Sequence, residues 1–250
     1  MSRTFRPPRA LLPRKTVPSR APAPSTRSPS RRIEATFGFV DLAGFTALTE
    51  EHGDFDAADM ATRFAELAHA ALGQGDRLIK TLGDAVLVTS PTPGGALDLT
   101  ERLLSSAVAE RTLPALRAGL HHGAAIERDG DVFGAAVNLA ARVAAEAYAG
   151  EVIVTAAVAT AARERGLPVV DIGPVALKNV SDAAVLSSVG FMVGAIESAI
   201  DPVCQAIVDR RAAAGQLRFE QAVYWFCSLT CAAAFASNPQ WHVAPSQRGR

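Results

Sequence analysis

Apolar and polar positions along the chain follow two periods. Residues 35–42 alternate loosely and are rich in Phe and Val, which predicts a mostly buried strand. Over 55–72, Met60, Phe64, Leu67 and Ala71 recur at three- and four-residue steps, the spacing of a helix with one packing face; Gly73 and Gly75 end it. Short apolar stretches at 77–81 and 85–89 flank Leu82-Gly83-Asp84 and predict a tight hairpin. Pro and Gly break the pattern at 91–95, after which Leu97, Leu99, Leu103, Leu104 and Ala107 give 96–109 helical spacing. Leu116, Ala118 and Leu120 then alternate with Arg117, Gly119 and His121, a strand with one face inward.

Strand, helix, strand, strand, helix, strand is the order of an α/β (α+β) chain: a ferredoxin-like sandwich, an antiparallel sheet with helices on one side. Beyond a turn at Asp129-Gly130, residues 131–134 lead into a helix bearing Asn138, Ala140, Ala141 and Arg142. Apolar stretches at 151–155, 168–172 and 185–189 complete the sheet.

Candidate chemistry gathers at the strand ends. Asp41 closes the first strand just before Ala43-Gly44 and a helix start. This sets a hard oxygen donor beside free backbone N–H groups, an arrangement suited to a metal-bound phosphate. The same Asp could instead form a turn or cap a helix. Asp84 sits at the hairpin and supplies a second carboxylate. Asn138 and Arg142, four apart, share one helical face, which is either solvated or functional.

Three stretches carry a resemblance. Phe39 to Thr46 (Phe-Val-Asp-Leu-Ala-Gly-Phe-Thr), Ile79 to Asp84 (Ile-Lys-Thr-Leu-Gly-Asp), and Asp131 to Arg142 (Asp-Val-Phe-Gly-Ala-Ala-Val-Asn-Leu-Ala-Ala-Arg) resemble, in order and spacing, the signature motifs of the class III nucleotidyl cyclase catalytic domain. The resemblance covers 34–190. It implies an adenylyl cyclase that converts ATP to 3′,5′-cyclic AMP and pyrophosphate. Asp41 and Asp84 are then the metal-binding aspartates, holding two Mg²⁺ or Mn²⁺ ions per active site with the Leu42 carbonyl as a further ligand. The backbone amides of Ala43, Gly44, Phe45 and Thr46 would cradle the β- and γ-phosphates. Arg142 matches the residue that stabilises charge on the transferring phosphate, Asn138 the one that orients the ribose, and Lys178 the triphosphate-binding lysine. Lys80 can donate to an adenine ring nitrogen and Asp131 can accept from the exocyclic amine; in the family this pair reads adenine, whereas a Glu and a small polar residue would read guanine. The family joins the metal aspartates of one subunit to the base-reading, Asn and Arg residues of the next, which implies a homodimer with two equivalent sites.

Composition adds limits. The chain has 250 residues, 49% of them hydrophobic, and formal net charge zero. Residues 1–33 carry nine Lys/Arg, seven Pro and no acid, and read as a disordered basic Pro/Ser/Arg arm. Such a leader can mimic an organelle transit peptide, but its prolines oppose the amphipathic helix required. The rest holds 16 basic against 25 acidic residues, which argues against a nucleic-acid partner. Apolar runs at 183–196 and 223–236 are short of the roughly 20 residues of a spanning helix, so no membrane association is expected. Three cysteines are too few for a secreted disulfide scaffold and fit a reduced, cytoplasmic setting.

Those cysteines, Cys204, Cys227 and Cys231, are spaced Cys-x22-Cys-x3-Cys. Two of them share one helical face, and with the third they could converge on Zn²⁺ or Cu⁺; a small apolar knot of buried thiols reads equally well. Residues 201–241, ending in Asn238-Pro239-Gln240-Trp241, resemble a YHS domain, here taken as 197–245. Gln205-Ala206 replaces that family's Gly-Met after the first Cys, and Trp241 its final Tyr. The resemblance implies a metal-binding module; a further expectation is that its metal or redox state alters dimer geometry and cyclase rate, and His242 is near enough in sequence to supply a fourth ligand. Two other readings stay open: a catalytically silent nucleotide-binding module, and a metal-handling protein that uses the cyclase region as its dimeriser.

Overall fold

The computed structural model describes residues 29–110, 113–191, 198–220 and 222–243. Residues 1–28 of the arm expected over 1–33, and the last residues of the expected C-terminal module, lie outside them. Strand β1 (Arg31–Leu42) starts three residues before the expected boundary of the arm. It is followed by α1 (Phe45–His52), α2 (Asp54–Ala70), the hairpin β2 (Arg77–Leu82) and β3 (Ala85–Ser90), α3 (Pro93–Glu110), β4 (Leu116–Arg128), β5 (Asp131–Phe133) and α4 (Ala135–Ala145). Then come β6 (Val152–Thr155), α5 (Ala156–Glu164), β7 (Val169–Val175) and β8 (Ala184–Val189). The sheet order is β2-β3-β1-β4-β6-β8-β7, with β5 paired to β4. All pairings are antiparallel except β4 with β6.

Helices cover both faces of this sheet, not one. Along β1, Val40 and Leu42 pack with Phe64 of α2, Leu103 of α3 and Val158 of α5. Ala35 and Phe37, on the opposite face, pack with Ala136, Val137 and Ala140 of α4. The cause lies in β1 itself: both of its alternating sets are apolar, so neither face can be left to water. Three further features depart from the sequence reading. Gly53, at φ 86, ends α1 and separates it from α2. Strand β4 runs on to Arg128 and turns back through Asp129 (φ 50) and Gly130 (φ 80), both in the left-handed region that a two-residue hairpin requires. Helix α5 fills the 156–164 stretch, for which no element was predicted.

The C-terminal segment forms the ribbon β9 (Ser198–Ile200) with β10 (Ile207–Asp209), the hairpin β11 (Gly215–Phe219) with β12 (Ala222–Phe226), and two short helices, α6 (Leu229–Ser237) and α7 (Pro239–His242). Its small core centres on Phe235, whose ring lies 4.8 Å from Tyr224, 5.3 Å from Phe226 and 6.0 Å from Phe219. A bridge between Pro114 and Ala206 joins it to the start of β4. Among the described residues no helix is long and apolar enough to cross a membrane.

The placement of α4 depends on one residue. Gly119 of β4 faces α4 so closely that a Cβ there would lie 2.0 Å from the Ala144 backbone nitrogen. Gly119→Ala must therefore push the helix off the sheet. Overpacking typically costs about 1–3 kcal/mol, and a clash with backbone belongs at the upper end; urea unfolding should show a loss of that size, and an unchanged midpoint would mean that α4 does not rest on β4 as described.

Candidate active site

Register brings the two predicted aspartates together. Antiparallel pairing sets Asp41, one residue from the end of β1, beside Ala85 of β3 and Arg117 of β4. Asp84 occupies the turn just before Ala85, and its carbonyl accepts the Leu42 N–H at 3.1 Å. Arg117 grips Asp41 with both arms of its guanidinium, Nε to Oδ1 at 2.6 Å and Nη2 to Oδ2 at 3.0 Å. Burial pushes the Asp41 carboxyl above the ordinary aspartate value, Arg117 pulls it part of the way back, and the nearby Asp84 charge adds to the rise. Asp41 and Asp84 are near enough for their charges to interact, and Arg117 already supplies Asp41 with one counter-charge. Such hard oxygen donors fit Mg²⁺ or Mn²⁺.

The predicted phosphate turn is only partly available. Leu42 and Ala43 are buried, and the Ala43 N–H is committed to the Ala115 carbonyl at 2.8 Å. Ala43 therefore offers no free amide to a phosphate, which corrects that part of the expectation. Gly44, at φ 70, opens α1, so Phe45 and Thr46 stand in the first helical turn, where N–H groups have no partner within the helix.

Lys80 and Asp131 meet: Nζ to Oδ2 is 2.7 Å, with the Lys80 ammonium 5.9 Å from the Phe133 ring centre. The Lys80 hydrogen bond holds Asp131 below the ordinary carboxylate range, and the Val132 N–H to Oδ1 (2.8 Å) assists. On α4 the buried side is Ala136, Val137, Ala140, Val143 and Ala144. Asn138 and Arg142 project from the exposed side, with no side-chain hydrogen bond or ion pair among the described residues. Lys178 is exposed in the β7–β8 loop, whose Leu177 packs with Val143 of α4. No hydrogen bond or ion pair among the described residues joins Asp41 or Asp84 to Lys80, Asp131, Asn138, Arg142 or Lys178.

The cysteines converge as well. Cys204 Sγ is 3.4 Å from Cys227 Sγ, which is 3.8 Å from Cys231 Sγ. Burial raises all three thiols, Cys227 to about 12. The fourth donor in the group is Asp201. His242 stands 6.1 Å from the Phe235 ring and does not belong to it. Asp201 and Arg117 both escaped the sequence reading. The alternation of β4 does put Arg117 on one face, but its partner on β1 depends on register, which no local pattern reveals.

The family model described as "Adenylate and Guanylate cyclase catalytic domain" matches residues 29–188, which stops short of the cysteine segment. The pH-sensitive adenylate cyclase MT1302 of Mycobacterium tuberculosis is 39% identical over 121 residues, covering 48% of this chain and 30% of that protein. An adenylate cyclase of Streptomyces coelicolor is 37% identical over 123 residues, covering 49% and 32%. The chain thus spans about a third of the length of these curated relatives. Among solved structures, the adenylate/guanylate cyclase/hydrolase of Silicibacter pomeroyi superposes with TM-score 0.59 at 26% identity, over 67% of this chain and 100% of that one. The adenylyl cyclase CyaB of P. aeruginosa gives 0.58 at 22%, over 66% and 97%.

The Asp41–Arg117 pair has a pH signature. Because the folded pKa of Asp41 lies above its unfolded value, its contribution to stability is complete below the ordinary aspartate value and is lost as pH rises through the raised one. Arg117→Met removes both downward influences. It should push the Asp41 titration, followed by carboxyl-carbon NMR, still higher and carry the stability loss with it; an unmoved titration would show that Arg117 does not hold that charge.

Proposed function

The chain belongs to the adenylate and guanylate cyclase catalytic domain family, and on that premise we propose that it converts ATP to 3′,5′-cyclic AMP and pyrophosphate at a homodimer interface. The observation that carries this reading is the Asp41–Asp84 carboxylate pair at the mouth of the Gly44 turn, accompanied by an intact Lys80–Asp131 pair.

Asp41 and Asp84, with the Leu42 carbonyl, would hold two Mg²⁺ or Mn²⁺ ions. Bound there, such ions activate the ribose 3′-hydroxyl and neutralise the departing pyrophosphate. The chain's own groups do the rest. The first-turn amides of α1 opened by Gly44, those of Phe45 and Thr46 included, receive the β- and γ-phosphates, and Lys178 adds a cation to the triphosphate. Arg142 offers a planar fork of donors to charge building on the α-phosphate during in-line attack. Asn138 holds the ribose. Lys80 donates to an adenine ring nitrogen, and Asp131 accepts from the exocyclic amine.

Asn138, Arg142 and Lys178 have no side-chain hydrogen bond or ion pair among the described residues, which fits residues whose ligand lies across a two-fold axis beside the partner's carboxylates. The C-terminal segment is read as a YHS-like module that binds Zn²⁺ or Cu⁺ and regulates the cyclase by its metal or redox state; the protein acts in the cytoplasm.

Purified protein given ATP and Mg²⁺ or Mn²⁺ should make cyclic AMP, and Asp84→Ala should abolish it. Arg142→Ala should lower kcat by about 10²–10³-fold. Mixing the two inactive variants should restore about a quarter of the parental rate, because half of the dimers are mixed and each of these holds one intact site. Cyclic GMP from GTP in place of cyclic AMP would overturn the base assignment, and no recovery on mixing would overturn the shared site.

A further inference from the structure

The four donors of the cysteine cluster come from three places: Asp201 and Cys204 from the turn after β9, Cys227 from just beyond β12, and Cys231 from the first turn of α6. All lie within 4.8 Å of one another. Thiolates on a tetrahedral zinc, at Zn–S of about 2.3 Å, sit about 3.8 Å apart. The two contacts here are 3.4 and 3.8 Å. A disulfide would account for Cys204 and Cys227 alone; it gives Cys231 and Asp201 nothing to do.

Asp201 is the telling member. It is fully buried; its oxygens accept the Val203 N–H (2.9 Å) and the Cys227 N–H (2.8 Å), and the Cys227 thiol also hydrogen-bonds to it. No Lys, Arg or His pairs with it among the described residues. A buried carboxylate that lacks a counter-charge and faces three thiols is completed by a cation. Its hard oxygen also selects the metal: a carboxylate beside thiolates suits borderline Zn²⁺, whereas Cu⁺ favours an all-sulfur set. Cys227 is exposed and leaves a way in.

The same turn touches the phosphate-binding end of the catalytic sheet. Gln205 is held at φ 64 by its N–H to the Asp201 carbonyl (2.9 Å) and its Nε2 to the Pro202 carbonyl (2.9 Å). Its own carbonyl accepts the Ala115 N–H at 2.9 Å, and the Ala115 carbonyl accepts the Ala43 N–H. A Cβ on Gly44 would lie 2.8 Å from Gln205 Cγ and 3.1 Å from the Cys204 carbonyl oxygen. One residue, Cys204, is therefore both a sulfur donor and a neighbour of Gly44.

We propose that Asp201, Cys204, Cys227 and Cys231 form a tetrahedral site for zinc or a similar borderline divalent ion, and that its occupancy fixes the Gly44 turn through Gln205 and so tightens ATP binding. The second half rests on the cyclase reading; the first does not.

The test uses the full chain, purified under reducing conditions. Atomic emission should find one zinc per chain, and Co²⁺ in its place should show the visible bands of tetrahedral thiolate coordination. Cys227→Ser should lose the ion, and Asp201→Asn should weaken it at least tenfold, with circular dichroism confirming that both variants stay folded. Calorimetric titration with a non-hydrolysable ATP analogue should show several-fold weaker binding after chelation, restored by zinc. In Gln205→Gly, which keeps all four donors, the ion should still bind while the ATP response is lost. A folded, reduced chain that takes up no stoichiometric ion, or that only forms a Cys204–Cys227 disulfide, overturns the site. Zinc binding with unaltered analogue affinity overturns the coupling. Both arms read without turnover, so failure of the cyclase reading itself would appear separately, as absent product.

Discussion

The twelve-residue antiparallel pairing of β1 with β4 is the constraint on which the rest depends. Because side chains alternate with period two, a slip of one residue would turn every side chain of β1 to the other face. It would move Asp41 away from Arg117 and Asp84, and Phe37 away from α4. Apolar residues on both faces of β1 make that slip costly in two cores at once. The position of the Asp41 carboxylate is thus set less by its own contacts than by the packing of residues up to eight positions before it.

What was legible in the sequence was local. Asp41 next to Gly44, Asp84 in its hairpin, Lys80 and Asp131 near theirs, and the i, i+4 pair on α4 are read from short stretches whose backbone geometry follows from a few residue types. What was not legible depends on register or on packing between distant elements. Arg117 carries no motif, and only the β1–β4 register gives it to Asp41. Helix α5 is so rich in alanine, with Val158 the one large apolar residue among its buried positions, that its periodicity is faint. Asp201 looks like a turn residue before Pro202, and only the folded C-terminal segment shows it fully buried against three thiols. Helices on both faces could have been inferred, since β1 is apolar on each, but the strand order alone pointed to one.

Electrostatics divides the catalytic region into two kinds of site. Around Asp41, charge is crowded and desolvated, and the protein lends it Arg117. On α4, Asn138 and Arg142 stand in the open with no side-chain hydrogen bond or ion pair among the described residues. Were a site assembled from both kinds across two copies, as proposed, turnover would be coupled to association.

If Lys80 and Asp131 read the base as proposed, their ion pair bears on selection among nucleotides. The two groups already pair with each other at 2.7 Å, so an adenine edge that slotted between them would trade one set of hydrogen bonds for another and gain little net affinity. A guanine edge, with its carbonyl turned toward the carboxylate, would break the pair and restore nothing. The pair would then act as a filter that penalises the wrong base more than it rewards the right one, and fidelity would come from the cost of opening a closed gate.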